Sequence, residues 1–286
     1  MDSYSIKKEN VDFKTLEMNL NAKGTRVKKL VVDKNGMKAF FKYQGDGYLV
    51  SESCSEKMCS EIAKVLGYKC AKIELAIDAD NKIGILNYIF VDEGIEHTDA
   101  LSYLNTDNSD RIHFYTVSNI KKTLDDLNKN LFSEFIKIMI FDALVGEQDR
   151  HEENWGIQYI DGKYEMSPLY DNGDNLLRDF KNPEIAEKYY NGNKDFNAYI
   201  NKSKTLIYKE NSNKRYKHFE LIEYLNNNYS YLVQKEIKNL NKLNDSKIGE
   251  IVNKIPNNLM TNKHKEYIIE YLKTRRNILL NIDKSE

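Results

Sequence analysis

Nowhere in the 286 residues do eighteen consecutive apolar residues occur, and the opening MDSYSIKKENVDFK has no apolar stretch of signal-peptide length. A membrane-spanning helix and a secretory leader are therefore not expected, and the cytoplasm is the expected location. Cysteine is scarce. The three present, Cys54, Cys59 and Cys70, are odd in number and have no zinc-type spacing with the five histidines, which excludes a disulfide framework or structural metal and favours a reducing compartment. An excess of charge is also missing: 43 Lys and Arg against 44 Asp and Glu leave a net charge of -1, so no global basic field draws the chain to nucleic acid or to anionic lipid. Neither a membrane nor a direct nucleic-acid partner is expected. What is there is the balance of a globular protein, with 41% hydrophobic and 30% charged residues. The length exceeds one simple domain and fits one large domain or two lobes.

The first hundred residues read mainly as strands around one helix. Arg26 to Val32 and Met37 to Tyr43 are β-rich runs about Asp33-Lys34-Asn35-Gly36, and Asn-Gly is a strong hairpin signal. From Cys54 to Leu66 the apolar positions fall on one helical stripe that stops at Gly67. A second hairpin is expected from Ala71 to Ile77 and Ile83 to Val91 about Asp78-Ala79-Asp80-Asn81. Polar Asp92 to Ser109 reads as a connector. Leu131 to Val145, apolar nearly all round, marks a buried helix ending at Gly146, and a short hairpin about Asp161-Gly162 follows. Asp174 to Ser212 lacks periodicity and reads as a long mobile loop region, and helices are expected near Phe219–Asn227, Tyr231–Leu243, Lys247–Lys254 and Lys263–Ile282.

The loop between the buried helix and the hairpin carries Asp149-Arg150-His151-Glu152-Glu153-Asn154-Trp155-Gly156, and Ser167-Pro168-Leu169-Tyr170-Asp171-Asn172-Gly173 follows the hairpin. A carboxylate, an amide five residues on, and a second carboxylate 22 residues after the first are thereby returned to one edge. Phosphoryl transfer needs this set: one carboxylate to orient and deprotonate a hydroxyl, a second with an amide oxygen to hold the magnesium that bridges the phosphates. The protein-kinase catalytic loop has the same Asp-to-Asn spacing and a later metal-binding Asp. Asp149 is thus the expected base, and Asn154 and Asp171 the expected metal ligands. Upstream, Gly24-Thr25-Arg26 precedes the first hairpin, where small residues let backbone N–H groups approach phosphates. Lys42 ends the second strand as the kinase lysine does. The next helix offers Glu56 as its partner, with Glu61 the competing choice. Arg150 and His151 are read as bracing the loop rather than reacting, and Trp155 as core packing.

These segments resemble the HipA-like serine/threonine kinases, and among them the short CtkA-type members. The likeness is carried by Gly24-Thr-Arg, Phe41-Lys42, Ser55-Glu56-Lys57, the run from Phe141 to Gly156, Ser167 to Gly173, and Met260 to Tyr267 through Arg275-Arg276. It implies an α+β, two-lobed protein-kinase-like fold: residues 1–92 as a β-rich ATP-binding lobe, 93–130 as a connector, and 131–286 as a helical catalytic lobe. By matching positions it assigns Lys42 to ATP, Glu56 to that lysine, Asp149 to general base, His151 and Asn154 to nucleotide or metal contact, and Asp171 to Mg2+. Adenine is expected near Tyr88 to Phe90. One departure is visible, Glu147 where the family usually has Asn two residues before the catalytic Asp.

The resemblance further implies a protein Ser/Thr acceptor, a toxin-antitoxin or effector setting, and a separate small antitoxin or regulatory protein as partner. The regulatory extension of longer HipA toxins is expected to be absent. Autophosphorylation at Thr25 would place a dianion where the nucleotide's phosphates bind, with Ser51, Ser53 and Ser55 as rival acceptors. A small-molecule or lipid kinase with the same machinery and a pseudokinase binding module are the competing functions. The intact set Lys42, Asp149, Asn154 and Asp171 speaks against the last.

Overall fold

The computed structural model describes residues 2–16, 28–44, 52–91, 94–104, 110–177, 183–192 and 195–282. In the first lobe six strands form one sheet: β1 (Ile6–Lys8), β2 (Phe13–Thr15), β3 (Lys28–Asp33), β4 (Lys38–Tyr43), β5 (Ile73–Ile77) and β6 (Ile83–Tyr88), in the order β1-β5-β6-β4-β3-β2. The two hairpins form for local reasons. Asp33 Oδ1 accepts from the amides of Asn35 (2.8 Å) and Met37 (2.9 Å), and Gly36 takes φ +82°, the left-handed turn position that glycine allows. Asp78 does the same for Asp80 and Lys82 in the second turn.

Helix α1 (Glu52–Leu66) crosses this sheet. Its stripe of Cys54, Met58, Cys59, Ile62 and Leu66 is buried as the spacing predicts, yet Glu56 and Lys57 are buried too. It is embedded between the lobes rather than laid on a surface.

The region expected to be a connector contains structure. β7 (Glu96–Asp99), α2 (Ala100–Leu104), α3 (Arg111–Phe114) and α4 (Val117–Leu127) precede α5 (Leu131–Val145). β7 pairs antiparallel with β8 (Gly156–Ile160), which pairs with β9 (Lys163–Met166). Glu-His-Thr-Asp has no strand signature of its own; it is made a strand by its partner.

A second difference lies in the expected loop region. Among its described residues are α6 (Pro183–Tyr190), α7 (Phe196–Lys202) and β10 (Lys204–Tyr208), and β10 pairs with β11 (Arg215–Lys217). α7 and β10 are anchored by Ile200 and Ile207, both buried. The first two expected C-terminal helices are both present, running on as α8 (His218–Asn239) across a kink at Tyr229, where φ -141° and ψ 43° leave the helical region between them. α9 (Asp245–Asn253) and α10 (Asn262–Asn281) complete the lobe.

One hydrophobic core runs through α1, α4, α5, α8, α9 and α10, and α5 lies at its middle with Phe135, Ile136, Ile140 and Phe141 fully buried. Truncating such a phenylalanine costs about 3–5 kcal/mol. The lobes are stitched by main chain: Ala71 N–H donates to Leu169 O at 2.8 Å and Leu169 N–H to Lys69 O at 2.9 Å. The fold is the expected α+β one, a β-rich first lobe and a helical second lobe.

Candidate active site

The segment that carries Asp149 starts where α5 is forced to stop. Gly146 takes φ +76°, and a Cβ built there would stand 1.9 Å from the Tyr271 hydroxyl of α10. Only glycine fits both demands. Asp142 O closes the helix by accepting from Gly146 N–H (2.8 Å) and Glu147 N–H (3.0 Å), and the chain enters the loop that carries Asp149.

Arg150 holds that loop. Its five N–H groups are all used: Nε and Nη2 donate to Asp142, Nη1 to the carbonyls of Asn154 and Tyr170 (both 2.9 Å), and Nη2 also to Asn172 Oδ1. One guanidinium thereby ties the buried helix to both loops. Burial pushes the Asp142 carboxyl up, against the pull of Arg150. The amide of Asn154 is oriented by its own donation to Asp149 O at 2.8 Å, which leaves Oδ1 as its other arm.

The upper wall comes from β4 and α1. Lys42 Nζ lies 3.2 Å from Glu56 Oε1 and 2.8 Å from Asp171 Oδ1. Burial alone would lower the Lys42 ammonium, but the two carboxylates outweigh it and hold it above its usual value. Burial would likewise raise Asp171, yet Lys42 and then Arg150 keep its carboxyl below the usual range. Asp171 sits at φ +55°, a left-handed conformation that Asp tolerates better than most residues. Gly173 follows where a Cβ would come within 2.4 Å of Glu52 Cγ, so the loop lies against the first turn of α1.

A cleft of about 720 Å³ lies between the lobes, and Lys42, Asp149, His151, Asn154 and Asp171 all line it. Glu56 stands behind Lys42, while Glu61 pairs with Lys57 and Lys64, each at 2.7 Å, away from the cleft. The segment from Asn87 to Val91 forms another wall. Phe90 meets His97 edge-to-face and Tyr170 at a tilt, at centroid distances of 5.5 and 5.6 Å. Tyr88 packs its ring in the sheet with Phe13 and Phe41, its hydroxyl near Asp33 and Glu74. Its side chain is committed to the sheet. Gly24, Thr25 and Arg26 lie outside the described residues.

The model of the HipA-like C-terminal domain family matches residues 20–237, most of the chain. The chain belongs to the HipA-like family. This HipA-like protein is 23% identical over 241 residues to the serine/threonine-protein kinase CtkA of Helicobacter pylori strain J99, covering 80% of this chain and 71% of that one. Its fold matches the crystal structure of the proinflammatory kinase CtkA of H. pylori at a TM-score of 0.78, with 19% identity over 93% of this chain and 94% of the other. It also matches HipA of Shewanella oneidensis MR-1, solved with HipB and operator DNA, at 0.59, with 12% identity over 94% of this chain and 69% of that one. By family and fold it is a HipA-like protein kinase. Among the described residues no helix is long and apolar enough to cross a membrane.

Several residues of this HipA-like cleft escaped the sequence reading. Lys28, directly opposite Lys42 in the β3–β4 register, lines it, and so do Glu52, His97 and Asp99. The cross-strand register was a usable signal for Lys28. For His97 there was none, because its strand exists only through pairing with β8.

Proposed function

We propose that this HipA-like protein transfers the γ-phosphate of ATP, with Mg2+, to a Ser or Thr hydroxyl of a protein substrate. The observation that carries the reading is the Lys42 ammonium held between Glu56 and Asp171 in a cleft that Asp149 and Asn154 also line. In this reading Lys42 grips the α and β phosphates, and Phe90 with the main chain around Tyr88 receives adenine. His151 contacts the nucleotide. Gly24, Thr25 and Arg26 contact the phosphates in this reading. Asp149 orients the acceptor hydroxyl and takes its proton. The donor set suits a hard cation: Asp171 offers a carboxylate and Asn154 an amide oxygen, both oxygen ligands on the same cleft. Magnesium, when bound, neutralises the charge that develops on the phosphates.

Autophosphorylation at Thr25 and a separate small antitoxin-like partner belong to the same reading. The second is supported by the likeness to a HipA that is solved with HipB. The test is to incubate the purified protein with labelled ATP and a cell lysate beside the Asp149→Asn variant. Loss of the general base lowers transfer by about 100- to 10,000-fold while calorimetric ATP affinity holds. Full transfer by Asp149→Asn would remove Asp149 from its role.

A further inference from the structure

Glu147 follows Gly146 directly and is 1% exposed. It is no solvated variation on the loop. A carboxylate so buried needs donors, and two reach it from different loops. Asp149 N–H donates to Oε1 at 2.9 Å, and Asn175 Nδ2 donates to Oε2 at 2.9 Å. The Asn175 amide also donates to Asn172 O at 2.9 Å, which ties it to the segment that carries Asp171. The main chain of Glu147 is pinned as well, its N–H to Asp142 O at 3.0 Å and its carbonyl to His218 Nε2 at 2.6 Å. A carbonyl only accepts, so His218 carries its proton on Nε2, and its Nδ1 accepts from Arg275 at 3.3 Å.

We propose that Glu147 is a positioning residue of the transfer reaction: its carboxylate couples the Asp149 loop to the segment following Asp171 and so sets the reach between base and metal ligand. The inference rests on the kinase reading above. Glu147 does not line the cleft, so it acts only through what it holds.

The bridge depends on protonation. Both facing groups are N–H donors, so both carboxylate oxygens must accept, and protonation removes the charge and makes one of them a poorer acceptor whose O–H has no acceptor facing it in this bridge. Burial lifts the Glu147 carboxyl to about 7; Arg150 pulls it down, Asp142 pushes it up, and the bonds from Asp149 and Asn175 pull it down. From α1 it faces the Cys59 thiol, itself pushed up by burial, and from α8 the His218 imidazole, which burial and then Arg275 push down to about 3. The bridge is therefore at full strength above about pH 7 and weaker below it. Stability moves the other way. A carboxyl raised above its usual 4.5 contributes stability that is full below the unfolded value and lost as pH rises to about 7.

The test compares wild type with Glu147→Gln, which keeps the shape and one acceptor, presents a donor to Asn175 and does not titrate. We expect wild-type kcat to rise with pH through about 7. In Glu147→Gln that limb disappears and kcat above neutrality falls roughly ten- to hundred-fold, the worth of one buried charged hydrogen bond, with the ATP KM within about two-fold. A folded variant with wild-type kcat and an unchanged pH limb overturns the proposal. The Asp149 amide resonance, followed by NMR in wild type across neutrality, gives an independent reading that needs neither turnover nor the variant. An amide that does not move overturns the bridge; one that titrates in a protein without transfer activity leaves the bridge standing and sinks the kinase reading instead.

Discussion

Two ion pairs meet at the cleft with the same chemistry and opposite surroundings. Arg150 and Asp142 are 4% and 1% exposed, and every donor of the guanidinium is committed. Lys42 and Asp171 face open space: the Asp171 side chain is 43% exposed and takes Lys42 on one oxygen. The first pair has no way to exchange partners without exposing a charge to the protein interior. In the proposed reading the second trades Lys42 for a cation while Lys42 turns to phosphate. A phosphotransfer site needs both kinds, a fixed frame that keeps two loops in register and a loose pair that ligands can rearrange. In that reading rigidity is placed below the substrate and exchange beside it.

The comparison breaks most visibly at Arg150. Arg150→Met strands Asp142 in the core, and we expect a loss of about 3–5 kcal/mol in urea unfolding, because an unpaired buried charge remains. Adding Asp142→Leu removes both charges and should recover most of that loss. A single variant as stable as wild type would mean that the frame lies elsewhere. Asp171→Asn tests the loose pair. Its half-exposed side chain makes the expected stability change within about 1 kcal/mol. Nucleotide binding, measured by calorimetry with and without magnesium, should nevertheless lose its response to the metal, because an amide replaces an anionic ligand of a hard cation. Equal strengthening by magnesium in both proteins would remove Asp171 from metal binding.

Much of this frame was legible before any coordinates. α5 was readable because it is apolar all round and because Gly146 ends it, two local signals that tertiary structure did not have to override. Asp149, Asn154 and Asp171 were readable as a set because a short hairpin fixes how two loops return to one edge. What holds them was legible only in part. Arg150 was read as a brace of the loop and is one, but Glu147 looks like an ordinary solvated charge in the sequence, and its burial becomes visible only when the segment of Asn172 and Asn175 packs against the end of α5. The same limit hid β7, whose Glu-His-Thr-Asp becomes a strand through β8 alone. It hid α7 and β10 too, whose buried apolar residues Ile200 and Ile207 stand among Asn, Lys and Tyr. The kink of α8 at Tyr229, by contrast, falls between the two helices that the sequence led us to expect.

The smallest effect sharpens the comparison from outside the cleft. Lys69 and Glu165 form an ion pair at 2.7 Å with side chains 67% and 43% exposed. Its geometry is as short as that of Lys42 with Asp171, so distance alone would rate the two alike. Solvent decides otherwise, because water screens the attraction and two long side chains lose freedom to hold one arrangement. Lys69→Ala should therefore cost only about 0.2–1 kcal/mol in urea unfolding at low salt, and the difference should vanish at high salt. The main-chain bond from Leu169 N–H to Lys69 O survives the substitution, so the stitch between the lobes is untouched. The pH behaviour gives the sign. Lys69 holds the Glu165 carboxyl below its usual 4.5, so the pair's contribution is present above the unfolded value and lost as pH falls through the folded one. A loss from Lys69→Ala as large as that from Arg150→Met, or one insensitive to salt, would show that exposure is not what separates the two pairs at the cleft.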